Sequence, residues 1–206
     1  MKLHSRWKQW ASTGALVPFS KVAGGDFVII TAASSSVGLA AIQIVKAQGG
    51  ISIATTRGSA KKDQLIDLGA DHVIVTEQED LVARVQSITG GKGARIVFDP
   101  VGGDYINTLA QATANGGTIF LYGMLSGKPT PFPLAAFGRT IGMFGYTFAE
   151  LRGTPEWETM KKYIYDRLTD GSFKPKIART FPFDQTVEAY RYLESNQQIG
   201  KVVITL

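Results

Sequence analysis

The 206-residue chain has no cysteine and only two histidines, His4 and His72. Without thiols it can form no disulfide, no thiolate metal site and no cysteine nucleophile, and two imidazoles alone do not complete a zinc site. Long hydrophobic runs are missing too: no apolar stretch approaches the roughly 18 residues that a membrane-spanning helix needs. Met1 to Trp10 is polar and basic with no apolar segment behind it, so neither a secretion signal nor a membrane partner is expected, and the expected location is the cytoplasm. Clustered charge is scarce. The formal net charge is +5, but only Lys61-Lys62 and Lys161-Lys162 place two cations side by side. That scatter reads as a basic surface, and nucleic acid is not an expected partner.

What is present is a globular composition, 44% hydrophobic and 19% charged, enough apolar residues for a sizeable core. Short apolar runs alternate with helix-like stretches, the pattern of a parallel sheet covered on both faces. The predicted order is a strand at Phe27 to Ile30, helix Val37 to Gln48, strand Ile51 to Thr56, helix Ser59 to Leu68, strand His72 to Thr76 and helix Asp80 to Thr89. A strand at Arg95 to Phe98, a helix near Tyr105 to Ala114, a strand at Thr118 to Tyr122 and a sixth strand at about Ile141 to Thr147 follow. A helix over Trp7 to Val22 is expected to precede the sheet and pack on it. After Gly153 come a helix (Glu156 to Leu168), a strand (Lys176 to Phe183), a helix (Asp184 to Asn196) and a last strand (Lys201 to Leu206).

After the first strand, Thr31-Ala-Ala-Ser-Ser-Ser-Val-Gly38 feeds an apolar helix. It matches the dinucleotide turn G-x-G-x-x-G, with Ala33 and Ser35 in the first two glycine places and Gly38 in the third. Backbone N–H groups at a helix N-terminus attract a pyrophosphate, and small side chains permit close approach, so Ala33, Ser34, Ser35, Ser36, Val37 and Gly38 are candidate cofactor contacts. The chain therefore reads as α/β, a Rossmann-like doubly wound parallel sheet with helices on both faces, plus a C-terminal β-α-β extension. Residues 1–25 form a leading helix and turn, 26–153 the nucleotide domain, and 154–206 the C-terminal unit.

NAD-binding versions of the turn place an acid about 20 residues on to hold the adenosine ribose. No acid occurs between Asp26 and Asp63; Thr55, Thr56, Arg57 and Lys61 stand there instead. Cations with small hydroxyls suit a 2′-phosphate and favour NADP(H), while a solvated basic helix start is the other reading of the same residues.

Together with Gly14-Ala-Leu16, Leu68-Gly-Ala-Asp-His-Val-Ile74, Phe98-Asp-Pro-Val-Gly-Gly103, Gly117-Thr-Ile-Phe-Leu-Tyr-Gly123 and Gly200-Lys-Val-Val203, the loop resembles the medium-chain dehydrogenase/reductase superfamily, in its zinc-free quinone oxidoreductase branch. The resemblance implies NADPH as cofactor, a Lys61 contact to the 2′-phosphate, and a nicotinamide side lined by Asp99, Val101, Gly102, Leu121, Tyr122 and Gly123. It departs at Thr76, where some relatives carry a tyrosine. Family members also begin with a GroES-like substrate domain, which this sequence does not contain; its last strands normally return to that domain.

Ligands bind outside the carboxyl ends of such sheets, which leaves Asp99 and Tyr122 as catalytic candidates and puts His72 at the wrong end. A Ser/Tyr/Lys reductase is disfavoured, since none of the seven tyrosines has Lys four positions later. Two functions stay open: an NADPH-dependent reductase of quinones, enones or carbonyls, and a non-catalytic NADP(H)-binding module that needs a separate substrate domain. Partners expected are a small-molecule substrate, a separate GroES-like domain under the second of these functions, and a second copy paired through the uncharged strand 141–147.

Overall fold

The computed structural model describes residues 12–206, apart from the side chains of Phe148 and Glu150. His4, Trp7 and the start of the predicted Trp7 to Val22 helix lie outside the described residues. The described part is helical over Ser12 to Gly14 and continues as a single π-helical turn, Ala15–Phe19. It stops short of Val22 because Pro18 has no N–H to continue an α-helical ladder, and the chain closes instead through wide bonds such as Ser20 N–H to the Ala15 carbonyl at 3.0 Å. Ala15 and Leu16 are fully buried, so the segment does pack on the core.

The main sheet takes β1 (Phe27–Ile30), β2 (Ile51–Thr56), β3 (His72–Val75), β4 (Ala94–Asp99), β5 (Thr113–Leu121) and β6 (Gly142–Gly145) in the order β3-β2-β1-β4-β5-β6, all parallel. Its crossover helices are α1 (Ser36–Ala47), α2 (Lys62–Asp67), α3 (Leu81–Thr89) and α4 (Tyr105–Ala112). Residues alternate across the sheet. Val28, Ile30, Ile96 and Phe98 join one core with α1, while Ile29 and Val97 join the other with α3 and α4. This two-faced burial is what the continuous apolar runs foretold.

Several element ends differ from those expected, and among the strands β5 and β6 shift most. Strand β5 starts at Thr113, five residues earlier than expected, because Thr113 pairs with Ala94 across a bulge before the regular ladder resumes at Thr118. Strand β6 is shorter than 141–147, ending at Gly145.

Beyond Gly153, α5 (Pro155–Thr169) is followed by β7 (Ile177–Pro182), α6 (Thr186–Glu194) and β8 (Lys201–Thr205). The two strands form their own parallel pair. Gly200 attaches this unit to the main sheet's first loop, donating its N–H to the Ser34 carbonyl at 2.9 Å. No helix among the described residues is long and apolar enough to cross a membrane.

Candidate functional site

A cleft of about 720 Å³ opens at the carboxyl ends of β1 to β4, lined by Thr31, Thr55, Thr56, Thr76 and Val101 from the strand ends. Sheet order reverses between β1 and β4, so this is the crevice where open α/β sheets take ligands, and its size is that of a small-molecule site. His72 begins β3 at the opposite edge, as its sequence position required.

The first loop is built around helix α1. Ser35 is its N-cap, and its hydroxyl accepts the Gly38 N–H at 3.0 Å. Gly38 is obligatory: a Cβ there would lie 2.6 Å from both Cα and O of Ala33. Ala33 is fully buried beneath it, and Val37 packs against the core. Ala32 takes a left-handed φ of 45°, a strained conformation of the kind that collects at functional sites. Of the six loop candidates, Ser34 lines the cleft, whereas Ser36 faces a small hollow against Pro175 and Lys176.

Thr55, Thr56, Arg57 and Lys61 all line the cleft, as the strand-end argument implied. Lys61 is not a free cation. Its ammonium donates to Ser34 Oγ at 3.3 Å, to the Gln198 carbonyl at 3.0 Å and to the Asn196 carbonyl. Partial burial and the neighbouring Arg57 charge together lower its pKa from the ordinary lysine value.

Asp99 closes β4 with its side chain fully buried. Thr31 Oγ1 donates to Oδ1, and Gly102 N–H donates to Oδ2 at 2.8 Å. The carboxylate thus ties the loop after β1 to the loop after β4. Val101 lines it. Gly102 adopts φ 65°, and a Cβ there would meet Thr130 Oγ1 at 2.6 Å. Leu121 ends β5, Tyr122 and Gly123 follow it, and none of the three is among the residues lining the cleft; the Tyr122 N–H donates to the Asp99 carbonyl at 2.9 Å, and its ring stacks on Phe98 at 4.0 Å.

The hydroxyls of Tyr105, Tyr122 and Tyr146 are buried without a hydrogen-bond partner among the described residues. Burial, and then the Asp99 carboxylate, push the Tyr105 phenol up to about 12. The same two causes raise Tyr122, and burial alone raises Tyr146. An unfolded phenol titrates near 10, so above that pH the unfolded chain holds fewer protons than the folded one, and stability must fall as pH rises. Thermal midpoints are therefore expected to drop between about pH 10 and 12, with fewer than all tyrosines ionising at 295 nm until the chain unfolds. Full tyrosinate absorbance in the still folded protein at pH about 10.5 would contradict this.

The sequence reading missed Glu77, Tyr105, Ser126 and Asn196, all of which line the cleft. Glu77 was within reach of the same rule that found Thr55 and Thr56, since it follows the carboxyl end of β3. Asn196 carried no signal, because only tertiary packing brings the α6–β8 turn to the first loop.

Residues 36–164 match the zinc-binding dehydrogenase family model. The chain belongs to the medium-chain dehydrogenase/reductase superfamily. Its branch is that of the quinone oxidoreductases. A probable quinone oxidoreductase of Schizosaccharomyces pombe is 30% identical over 87% of this chain and 55% of its own length. A 2-haloacrylate reductase of a Burkholderia species is 27% identical over 89% of this chain and 56% of its own. The solved Escherichia coli quinone oxidoreductase complexed with NADPH superposes with a TM-score of 0.88 at 25% identity, covering 97% of this chain and 63% of that one. The chain spans about half the length of the curated relatives it matches.

Proposed function

We propose that the cleft binds NADP(H) and that the chain is the cofactor-binding part of an oxidoreductase acting on a quinone, enone or related carbonyl compound. The observation that carries this reading is the 720 Å³ crevice at the strand-order reversal, bordered by Ser34 from the first loop and by Arg57 and Lys61. The residues fit the group: Gly38 and Gly102 stand where a Cβ would strike neighbouring atoms, and Tyr105, which lines the cleft, has a buried hydroxyl without a partner among the described residues. When bound, the reduced nicotinamide supplies a hydride. The chain's own part is to hold it: α1 offers N–H groups to the pyrophosphate, Arg57 and Lys61 offer charge to the 2′-phosphate, and Asp99, through Thr31 and Gly102, ties the two loops to each other. With no cysteine in the chain, the reading assigns zinc no part in what these residues do.

We read residues 26–153 as the cofactor domain, with 1–25 leading into it and 154–206 flanking it. A separate GroES-like domain would furnish the second wall around the acceptor, and positioning between two walls contributes several kcal/mol to hydride transfer. The alternative is a binding module without its own turnover.

One experiment separates these: NADPH and NADH titrations by fluorescence, then steady-state NADPH oxidation over a quinone panel. NADPH is expected to bind at least about tenfold more tightly than NADH, about 1.4 kcal/mol, and Lys61→Ala to remove most of that difference. Turnover by this chain is expected below about 1 s⁻¹, rising when a GroES-like domain from a relative is added. Equal affinity for the two cofactors would overturn the preference, and no binding of either would overturn the function.

A homodimer through β6 is also proposed. That edge carries no charge from Ile141 to Thr147, and Phe144 is 55% exposed on it. Light scattering at tens of micromolar should give the dimer mass, and Phe144→Lys the monomer mass; a monomeric parent chain would reject the contact.

A further inference from the structure

Three charged side chains line the cleft: Arg57, Lys61 and Glu77. They are not in the same condition. The ammonium of Lys61 is met by three acceptors, Ser34 Oγ and the carbonyls of Asn196 and Gln198, so much of its donor capacity is already engaged inside the chain. Arg57 is exposed and forms no ion pair among the described residues. Glu77 donates its backbone N–H to the Arg57 carbonyl at 3.2 Å, which fixes it beside the end of β2, and its Oε2 lies 3.7 Å from where a Cβ of Gly58 would stand. Its carboxylate has no hydrogen bond or ion pair among the described residues. The contrast with Glu79, two residues on, is plain: that carboxylate accepts the Val75 N–H at 2.9 Å and pairs with Arg84 at 2.8 Å. Glu79 holds its turn together, while the Glu77 carboxylate stands on the cleft lining with no partner among the described residues.

An acid at the end of β2 is the usual acceptor for the adenosine ribose hydroxyls, and none is present there. The fold delivers one to the same rim from the neighbouring strand. A carboxylate in that place accepts a hydrogen bond from a ribose hydroxyl and repels a phosphate dianion, the reverse of what Arg57 and Lys61 do. We propose that Glu77 is the specificity-setting residue of the adenosine end, holding down the preference for a 2′-phosphorylated dinucleotide so that the unphosphorylated one is also accepted. This rests on the reading of the cleft as a dinucleotide site.

The test is titration of the full chain and its Glu77→Gln variant with NADPH and with NADH, at low and at high salt, with thermal midpoints measured alongside. Because Glu77 has no partner to lose among the described residues, the midpoint should stay put. Glu77→Gln should tighten NADPH about fivefold at low ionic strength and weaken NADH about twofold, so the NADPH:NADH ratio rises about tenfold. The NADPH gain should shrink at about 0.5 M salt, as a Coulombic effect at an exposed site must. Glu77→Lys should move the ratio further in the same direction. A ratio unchanged within about twofold in a variant chain that binds NADPH would overturn the role of Glu77 while leaving the dinucleotide site intact, the scale being set by the exposed-charge effect. Failure of the parent chain to bind either cofactor would overturn both.

Discussion

Asp99→Ala is expected to lower the unfolding free energy by about 3–5 kcal/mol, a large share of the roughly 5–15 kcal/mol typical of a domain. The carboxylate is fully buried and takes one hydrogen bond on each oxygen, from Thr31 Oγ1 and from Gly102 N–H. Truncation orphans both donors where water cannot replace the acceptor, and each bond to a charged group is worth about 1.5–3 kcal/mol. Asp99→Asn keeps the volume and one acceptor oxygen, so its loss should be smaller. Urea unfolding should show a lower midpoint at unchanged slope for both variants, in that order. NADPH affinity should fall with them, since the loops that border the crevice lose their tie. A loss below about 1 kcal/mol for the alanine variant would refute this account and return Asp99 to the catalytic candidates.

Gly38→Ala is expected to weaken NADPH binding about a hundredfold and to cost about 1–3 kcal/mol of stability, although alanine is the better helix former by about 1 kcal/mol. The added Cβ would sit 2.6 Å from backbone atoms of Ala33, which cannot rotate away as a side-chain tip could. Either α1 lifts off the sheet or the loop under it moves. Both displace Ala32 and Ser34, which line the cleft, and the helix N-terminus with them. Binding should therefore suffer out of proportion to stability. The comparison to make is the NADPH dissociation constant beside the urea midpoint; a variant that binds as tightly as the parent would mean that the loop tolerates the shift.

The candidate site was legible wherever it depends on position along a strand and the turn after it. Thr55, Thr56 and Arg57 follow from the end of β2, and Val101 from the end of β4, and all line the cleft. Gly38 was legible because a small residue at that step of a strand-loop-helix unit is a matter of local distance. Ser35 belongs to the loop as its spacing implied, but its oxygen caps α1. Tyr122 was at the right strand end, yet its ring faces Phe98 and its hydroxyl lies buried.

By itself the sequence determined the parallel two-faced sheet, its crossover helices and the end of the sheet that carries the site. Those features arise from short-range constraints: periodic apolar burial, the capping of helix ends and the steric allowance of glycine. Only the tertiary structure decided what the site's charges are doing. Lys61 meets carbonyls from Asn196 and Gln198, more than a hundred residues away; Thr31 finds Asp99 across 68 positions; and Glu77 reaches the rim left without an acid by β2. Charge and hydrogen bonding act through space between strands whose neighbours are set by sheet order rather than chain order. The partner of a polar side chain is therefore known only once the sheet has been assembled.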